Sequence, residues 1–366
     1  MQTPREVIDD ILRRRPAERV GLTDNPWSDT LRRWVTQGYP ADSKGKPVDP
    51  VEALGFDIGG MVGFDWVAKP GVWDVLEETE EWRIARDGNG AAFKLWKNRS
   101  GTPEHMDFLM TNREVWDRDY RPHVVGSARQ RMQAERLVWA RAGLERHHAA
   151  GRSVRFGLRG IWENMRGAFG DICLYENMLL DPDWIRDYCR VYTDLYREIC
   201  TVLLDEGCKP DHVWFYDDLG YKEKTFCSPE LYGELIFPFY DELVAFLHDA
   251  HLPVVLHTCG YTESLMSLIV DTGFDGVNPM EVKAGNDTLR LAREWGDRIA
   301  FIGGLDARVL ESGDRAEIEA SVEGLVEGMK AMGAGYVFGS DHSLSTNVDY
   351  GDFCLAVEVY RRHCRY

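Results

Sequence analysis

The stretch Pro253-Val-Val-Leu-His-Thr-Cys-Gly260 places an imidazole and a thiol two residues apart at the end of an apolar run, with a glycine to stop it. Along a strand, residues i and i+2 point to the same side, so His257 and Cys259 project together. An imidazole and a thiolate on one face are two ligands of a borderline-soft metal, and zinc is the obvious one. A catalytic zinc takes three protein ligands and keeps one open position. Glu281 is the expected third ligand, with Asp218, Asp341 and His342 as alternatives that no diagnostic spacing separates. The competing reading is a packed cysteine beside a hydrogen-bonded histidine.

Groups able to ionise recur after the other apolar runs. Arg159 is followed by Trp162-Glu163-Asn164, then come Tyr216-Asp217-Asp218, Asn278 with Glu281, Asp306 in "GGLD", and Ser340-Asp341-His342. Asp217, Asp218, Asp341 and His342 are candidates for acid/base work. Two adjacent carboxylates on a strand face opposite ways, so at most one of Asp217 and Asp218 points inward unless the strand ends between them. Asp341 and His342 are read as an oriented acid–imidazole pair. Trp162 and Tyr216 are candidate ring walls for a flat substrate, with Arg159 and Asn278 as further substrate-binding positions. Against these stand plainer roles: a loop-capping Asp217 or Asp218, a surface ion pair of Glu281 with Lys283 or Arg298, and a loop-ordering Asp341-His342.

The elements that must position these groups follow from periodicity. Short β-type runs occupy 19–24, 56–60, 154–159, 212–216, 253–257, 275–279, 299–303 and 335–339. Helix-type segments occupy 3–14, 28–36, 127–149, 183–206, 229–250, 262–272, 286–296 and 315–332. Strand and helix alternate, which argues for a parallel sheet. Eight such strands with helical crossovers make a closed (β/α)8 barrel of TIM type, whose chemistry sits at the C-terminal strand ends. The expected organisation is one domain over residues 1–366. An N-terminal helical extension and an inserted β-hairpin near 81–97, turning at Asp87-Gly88-Asn89-Gly90, lie within 1–150. The glycine-rich 55–63 stretch reads as a strand leading into a tight turn, since it lacks the G-x-G-x-x-G context of a dinucleotide site. No G-x-S-x-G or Walker pattern is present.

Composition narrows the classes. The chain has 366 residues and a net charge of −18, which repels nucleic acid and anionic membranes alike. Twelve tryptophans predict broad aromatic burial or a ring-lined cavity. The eight cysteines form no C-x-x-C pair and suit a reducing compartment. The opening residues carry no apolar run of secretory type and no run approaches a membrane span, so the expectation is a cytoplasmic protein.

Three long stretches resemble the uroporphyrinogen decarboxylase superfamily: "YDDLGYKEKTFCSPELYGELIFPFYDELVAFLHDAHLPVVLHTCG" (216–260), "GFDGVNPMEVKAGNDTLRLAREWGDRIAFIGGLDARVLESG" (273–313) and "YVFGSDHSLSTNVDYGDF" (336–353). The opening "TPREVIDDILRRRPAERVGLTDNPWSDTLRRW" is similar to the family's first helix and strand. The resemblance implies a distorted (β/α)8 barrel. It also implies one of two chemistries. True decarboxylases bind a tetrapyrrole octacarboxylate through an N-terminal Arg-Gln-Ala-Gly-Arg motif, where this chain reads "LTDNPWSDTLRRW". The cobamide-dependent methyltransferase branch is therefore the closer match. It implies methyl transfer between a small methoxylated or methylated molecule and a cobalt corrinoid carried by a partner protein. Many members of that branch hold zinc with an H-x-C pair, matched by His257 and Cys259, and a later cysteine. At the later position this chain has Gly339-Ser340-Asp341-His342, so Asp341, His342 or Glu281 is left to complete the set. Decarboxylation of a tetrapyrrole or other polycarboxylate is the alternative, and a non-catalytic tetrapyrrole or corrinoid binder is a third reading.

Overall fold

Short runs rich in valine, isoleucine and aromatic residues become strands where helices can cover one face and a second layer can fill the other. The computed structural model describes residues 1–61 and 63–366. Val62, within the 55–63 glycine-rich stretch, lies outside the described residues. In chain order the strands are β1 (Gly21–Leu22), β2 (Ile58–Gly60), β3 (Trp73–Glu78), β4 (Trp82–Asp87), β5 (Ala91–Trp96), β6 (Glu104–Phe108), β7 (Ser153–Arg159), β8 (His212–Tyr216), β9 (Val254–Thr258), β10 (Gly276–Pro279), β11 (Ala300–Ile302) and β12 (Tyr336–Phe338). Eight of them form one parallel sheet in the order β1-β12-β11-β10-β9-β8-β7-β2, which is the (β/α)8 barrel expected from the alternating pattern. All eight expected barrel strands form.

The hairpin at 87–90 also forms. Asp87 Oδ1 accepts from the backbone N–H groups of Asn89 (2.9 Å) and Ala91 (3.1 Å). It is the centre of something larger than a hairpin: β3, β4, β5 and β6 make a four-stranded antiparallel sheet. That sheet rests on the helix Ile161–Leu180, where the Phe108 ring would stand 2.5 Å from a Cβ at Gly170. Two long helices expected from periodicity are each divided. The 127–149 segment becomes Ala128–Arg131 and Ala134–Ala149. Arg131 is drawn inward to donate to the carbonyls of Asp65, Val67, Ala68 and His123, which pins the break. The 229–250 segment becomes Pro229–Leu235 and Phe237–Asp249, because Pro238 has no N–H for a continuing helix. Among the described residues no helix is long and apolar enough to cross a membrane, and all eight cysteines are free.

The barrel interior is stopped at its N-terminal end. The helix Pro4–Leu12 starts in a capping box, with Thr3 Oγ1 accepting from Glu6 N–H at 3.3 Å and the Glu6 carboxylate accepting from Thr3 N–H at 2.7 Å. Its Val7, Ile8, Ile11 and Leu12 pack against the inward residues Ile58, Trp214, Val255, Ala300, Ile302 and Val337. The opposite end stays open.

Among the described residues no ladder joins β1 to β2, and the seam there is closed by Asp57. Its N–H donates to Leu22 O (2.8 Å), while its carboxylate accepts from Leu22 N–H (2.7 Å) and from both Nη atoms of Arg19 (2.7 and 2.8 Å). Asp57 is 2% exposed. Removing one member of a buried, hydrogen-bonded ion pair leaves the other charge without compensation. Asp57→Ala is therefore expected to cost about 3 kcal/mol of unfolding free energy. The check is a lower midpoint in urea with the slope of the transition unchanged.

Candidate functional site

Strand register assembles the open end. Tyr216, His257 and Asn278 are Cα partners across β8, β9 and β10, so three inward side chains sit abreast. The Tyr216 and His257 rings are 5.2 Å apart. Gly157 on β7 makes room for the tyrosine, since a Cβ there would stand 2.9 Å from Tyr216 Cε2.

Asn278 determines which nitrogen of His257 faces the cavity. Its Nδ2 donates to Ile302 O at 2.9 Å, which turns Oδ1 toward His257 Nδ1 at 2.5 Å. An amide oxygen only accepts, so Nδ1 carries the proton and Nε2 presents its lone pair. Burial depresses the proton affinity of the imidazole, with the Asp218 charge opposing, and this favours the neutral ring. Nε2 lies 3.4 Å from Cys259 Sγ and 3.7 Å from Asp218 Oδ1. The Asp218 carboxylate also accepts from Cys259 N–H at 3.0 Å. These three donor atoms all lie within 4.8 Å of one another. Burial, followed by the charges of Asp218 and Glu281, pushes the Cys259 thiol well above its ordinary range. A thiol so placed ionises readily only beside a cation. One imidazole, one thiolate and one carboxylate, with the imidazole's other nitrogen held by an amide, form a donor set that suits zinc with a position left open.

The third member of the group is Asp218, where Glu281 was expected. Glu281 Oε2 instead accepts from Gly260 N–H at 2.8 Å and steadies the turn after Cys259. Three further expectations are corrected by burial. Asp217 is fully buried on the far side of the strand, accepting from Tyr240 Oη (2.5 Å), Glu163 N–H (2.6 Å) and Trp162 N–H (3.3 Å). It caps the helix Ile161–Leu180, and burial raises its carboxyl to about 7. Asp341 is 2% exposed and accepts from Val282 N–H and Ala307 N–H, both at 2.8 Å, so its carboxylate is spent on tying loops together. Trp162 is fully buried, packed edge-on to Tyr232 at 4.9 Å between ring centroids, and lines neither the cavity at His257 nor the recess beside it.

The remaining positions do reach the opening. His342 is exposed at the rim beside Trp27 and lines the same cavity as His257 and Cys259. Arg159 lines an adjoining recess with Trp66, Tyr216 and Asp218, and donates to Glu163 O from Nε (3.1 Å) and Nη2 (2.9 Å). Ser340, which stands where a later cysteine was expected, places Oγ 2.6 Å from Asp24 Oδ1.

Two cavity residues escaped the reading of the sequence. Asp24, just past β1, accepts from Ser340 N–H and Oγ, and burial raises its carboxyl to about 6. Arg155, on β7, lines the cavity beside Trp214. Each had a signal: Asp24 ends the first barrel run, and Arg155 shares the strand face of Arg159.

A family model described as uroporphyrinogen decarboxylase (URO-D) matches residues 173–363. No curated protein matches the sequence. Among solved structures, a methyltransferase from Methanosarcina mazei is similar, with a TM-score of 0.70 at 13% identity over 99% of each chain. That likeness is one of fold. A D-psicose 3-epimerase from Clostridium cellulolyticum H10 gives a TM-score of 0.39 at 11% identity, over 62% of this chain and 83% of that one. A family 5 xyloglucanase from Paenibacillus pabuli gives 0.38 at 11% identity, over 66% and 83%. Neither of these two bears on the site.

Protein equilibrated with zinc and then desalted is expected to hold about one zinc per chain. His257→Ala and Cys259→Ala should abolish it, and Asn278→Ala should weaken affinity by about tenfold through the lost second bond to the imidazole. Elemental analysis and a competing chromophoric chelator measure both.

Proposed function

The chain belongs to the uroporphyrinogen decarboxylase family, and within that family we propose that it works as a metal-assisted methyltransferase. The reaction moves a methyl group between a small methoxylated or methylated molecule and a cobalt corrinoid carried by a separate protein. The observation that carries this reading is the convergence of His257 Nε2, Cys259 Sγ and an Asp218 oxygen within 4.8 Å at one rim. When bound there, zinc supplies a positive charge that stabilises a departing oxygen or keeps a thiol ionised, worth several kcal/mol of barrier.

The chain's own residues supply position and protons. Asn278 holds His257 in the tautomer that leaves Nε2 free. Tyr216 gives a ring face at the edge of the same space. In transfer to cobalt the methyl leaves without its bonding pair. A reduced corrinoid on the partner would supply the electron pair for the new bond, so the pair of the broken bond would stay on the leaving atom, which would need a proton. Asp24, with a carboxyl near 6, and His342 are the groups placed to hold that proton.

Tetrapyrrole decarboxylation has less support. It calls for several unspent cations at the opening. Arg159 is committed to Glu163 O and Arg166 to Glu163 and Asp171, which leaves Arg155 as the one cavity arginine not spent on an acceptor among the described residues.

The zinc-loaded enzyme, given a panel of small methyl ethers and methylated amines with cob(I)alamin, is expected to form methylcobalamin, seen as a change in the corrinoid spectrum. His257→Ala should lower that rate by at least about a hundredfold, as for removal of a group acting on the departing charge. Full-rate transfer by metal-free protein, or carbon dioxide release from uroporphyrinogen, would defeat the proposal.

A further inference from the structure

Arg155 is a cation in the barrel interior that, among the described residues, meets a ring face and no acceptor. It points inward from β7, two positions before Gly157 and four before Arg159. Its guanidinium lies over the Trp214 ring, 5.0 Å from the centroid, and lines a cavity of about 110 Å³ that also reaches His257, Cys259 and Asn278. Among the described residues no carboxylate, carbonyl or hydroxyl accepts a hydrogen bond from it. Other inward-drawn arginines are provided for: Arg19 has Asp57 and Val20 O, and Arg131 has four carbonyls and Ser127 Oγ.

The guanidinium's N–H donors face the open cavity, and among the described residues none is spent on a protein acceptor. They are free to hold a ligand that brings its own acceptors. Neither nearby carboxylate pairs with it: Asp24, which lines this cavity, accepts from Ser340, and Asp218, in the adjoining recess, belongs to the donor group with His257 and Cys259. Trp214 covers one face of the guanidinium, which favours a planar, edge-on partner. A planar fork of donors matches the two oxygens of a carboxylate.

We propose that Arg155 is the anion-binding residue of this cavity, and that the small molecule handled there carries a carboxylate. The carboxylate sits on the guanidinium, and the other end of the molecule lies toward His257 and Cys259. Only the identity of that reacting end as a methyl carrier rests on the function proposed above.

Calorimetric titration of the full-length protein with methoxyacetate and with its neutral isostere methoxyacetamide tests this. Each titration is run with chelator present and again with zinc. Methoxyacetate is expected to bind at least about tenfold more tightly than the amide in both conditions, as for hydrogen bonds to a charged group. Arg155→Met should erase the preference while leaving the amide unaffected, and Arg155→Lys should keep part of it. Equal affinity for the two ligands overturns the proposal. So does failure of folded wild-type protein to bind either, or a preference that needs zinc and survives Arg155→Met, which assigns the carboxylate to the metal. The wild-type comparison stands even if the methionine variant misfolds. A preference lost with Arg155 but unaccompanied by methyl transfer to cob(I)alamin from any donor would retire the methyl-transfer reading and keep the anion site.

Discussion

One hydrogen bond decides what the open end of this barrel offers: that between His257 Nδ1 and Asn278 Oδ1. It exists because parallel register sets the two residues side by side on β9 and β10. It has a direction because Asn278 Nδ2 is already committed to Ile302 O on the next strand. Three adjacent strands therefore cooperate to leave a single nitrogen lone pair facing the cavity. Without that order, the thiol and carboxylate beside it would surround a ring free to present either nitrogen.

The alternation of a strand then sorts two neighbouring carboxylates into different trades. Asp218 faces inward, within reach of the imidazole and the sulfur. Asp217, one residue earlier, faces outward and is consumed by two backbone N–H groups and a tyrosine hydroxyl. Gly160 permits the approach, since a Cβ there would collide with the Asp217 side chain at 2.1 Å. The outward carboxylate holds the helix that carries Glu163 and Arg166, so the supports of the site and the site itself come from consecutive positions.

Much of this was legible in the sequence. The barrel could be read because its strands are short, β-branched and spaced by amphipathic helices, and the i, i+2 rule placed His257 and Cys259 together. What could not be read was depth. Asp341 and Trp162 look like Asp218 and Tyr216 in sequence, and only packing shows that the first two lie under other atoms. Glu281 and Asp218 were both named as possible ligands, and their distinction rests on a turn geometry that ties Glu281 to Gly260 N–H. Asp24 and Arg155 were passed over for a different reason. The first barrel strand is short, with only two paired residues, so its pattern marks its end weakly, and Arg155 sits mid-strand, where a run of β-type residues reads as core.

The helix Pro4–Leu12 plugs the cylinder from below. A vessel corked at one end has a single doorway. Whatever small molecule fills the cavity comes and goes between the strand ends, and any large body resting there seals the passage behind it. Were the partner of the proposed reaction to rest there, traffic would be sequential by shape alone: the small guest would board first, the large one dock over it, and the small one depart only after the large one lifts away.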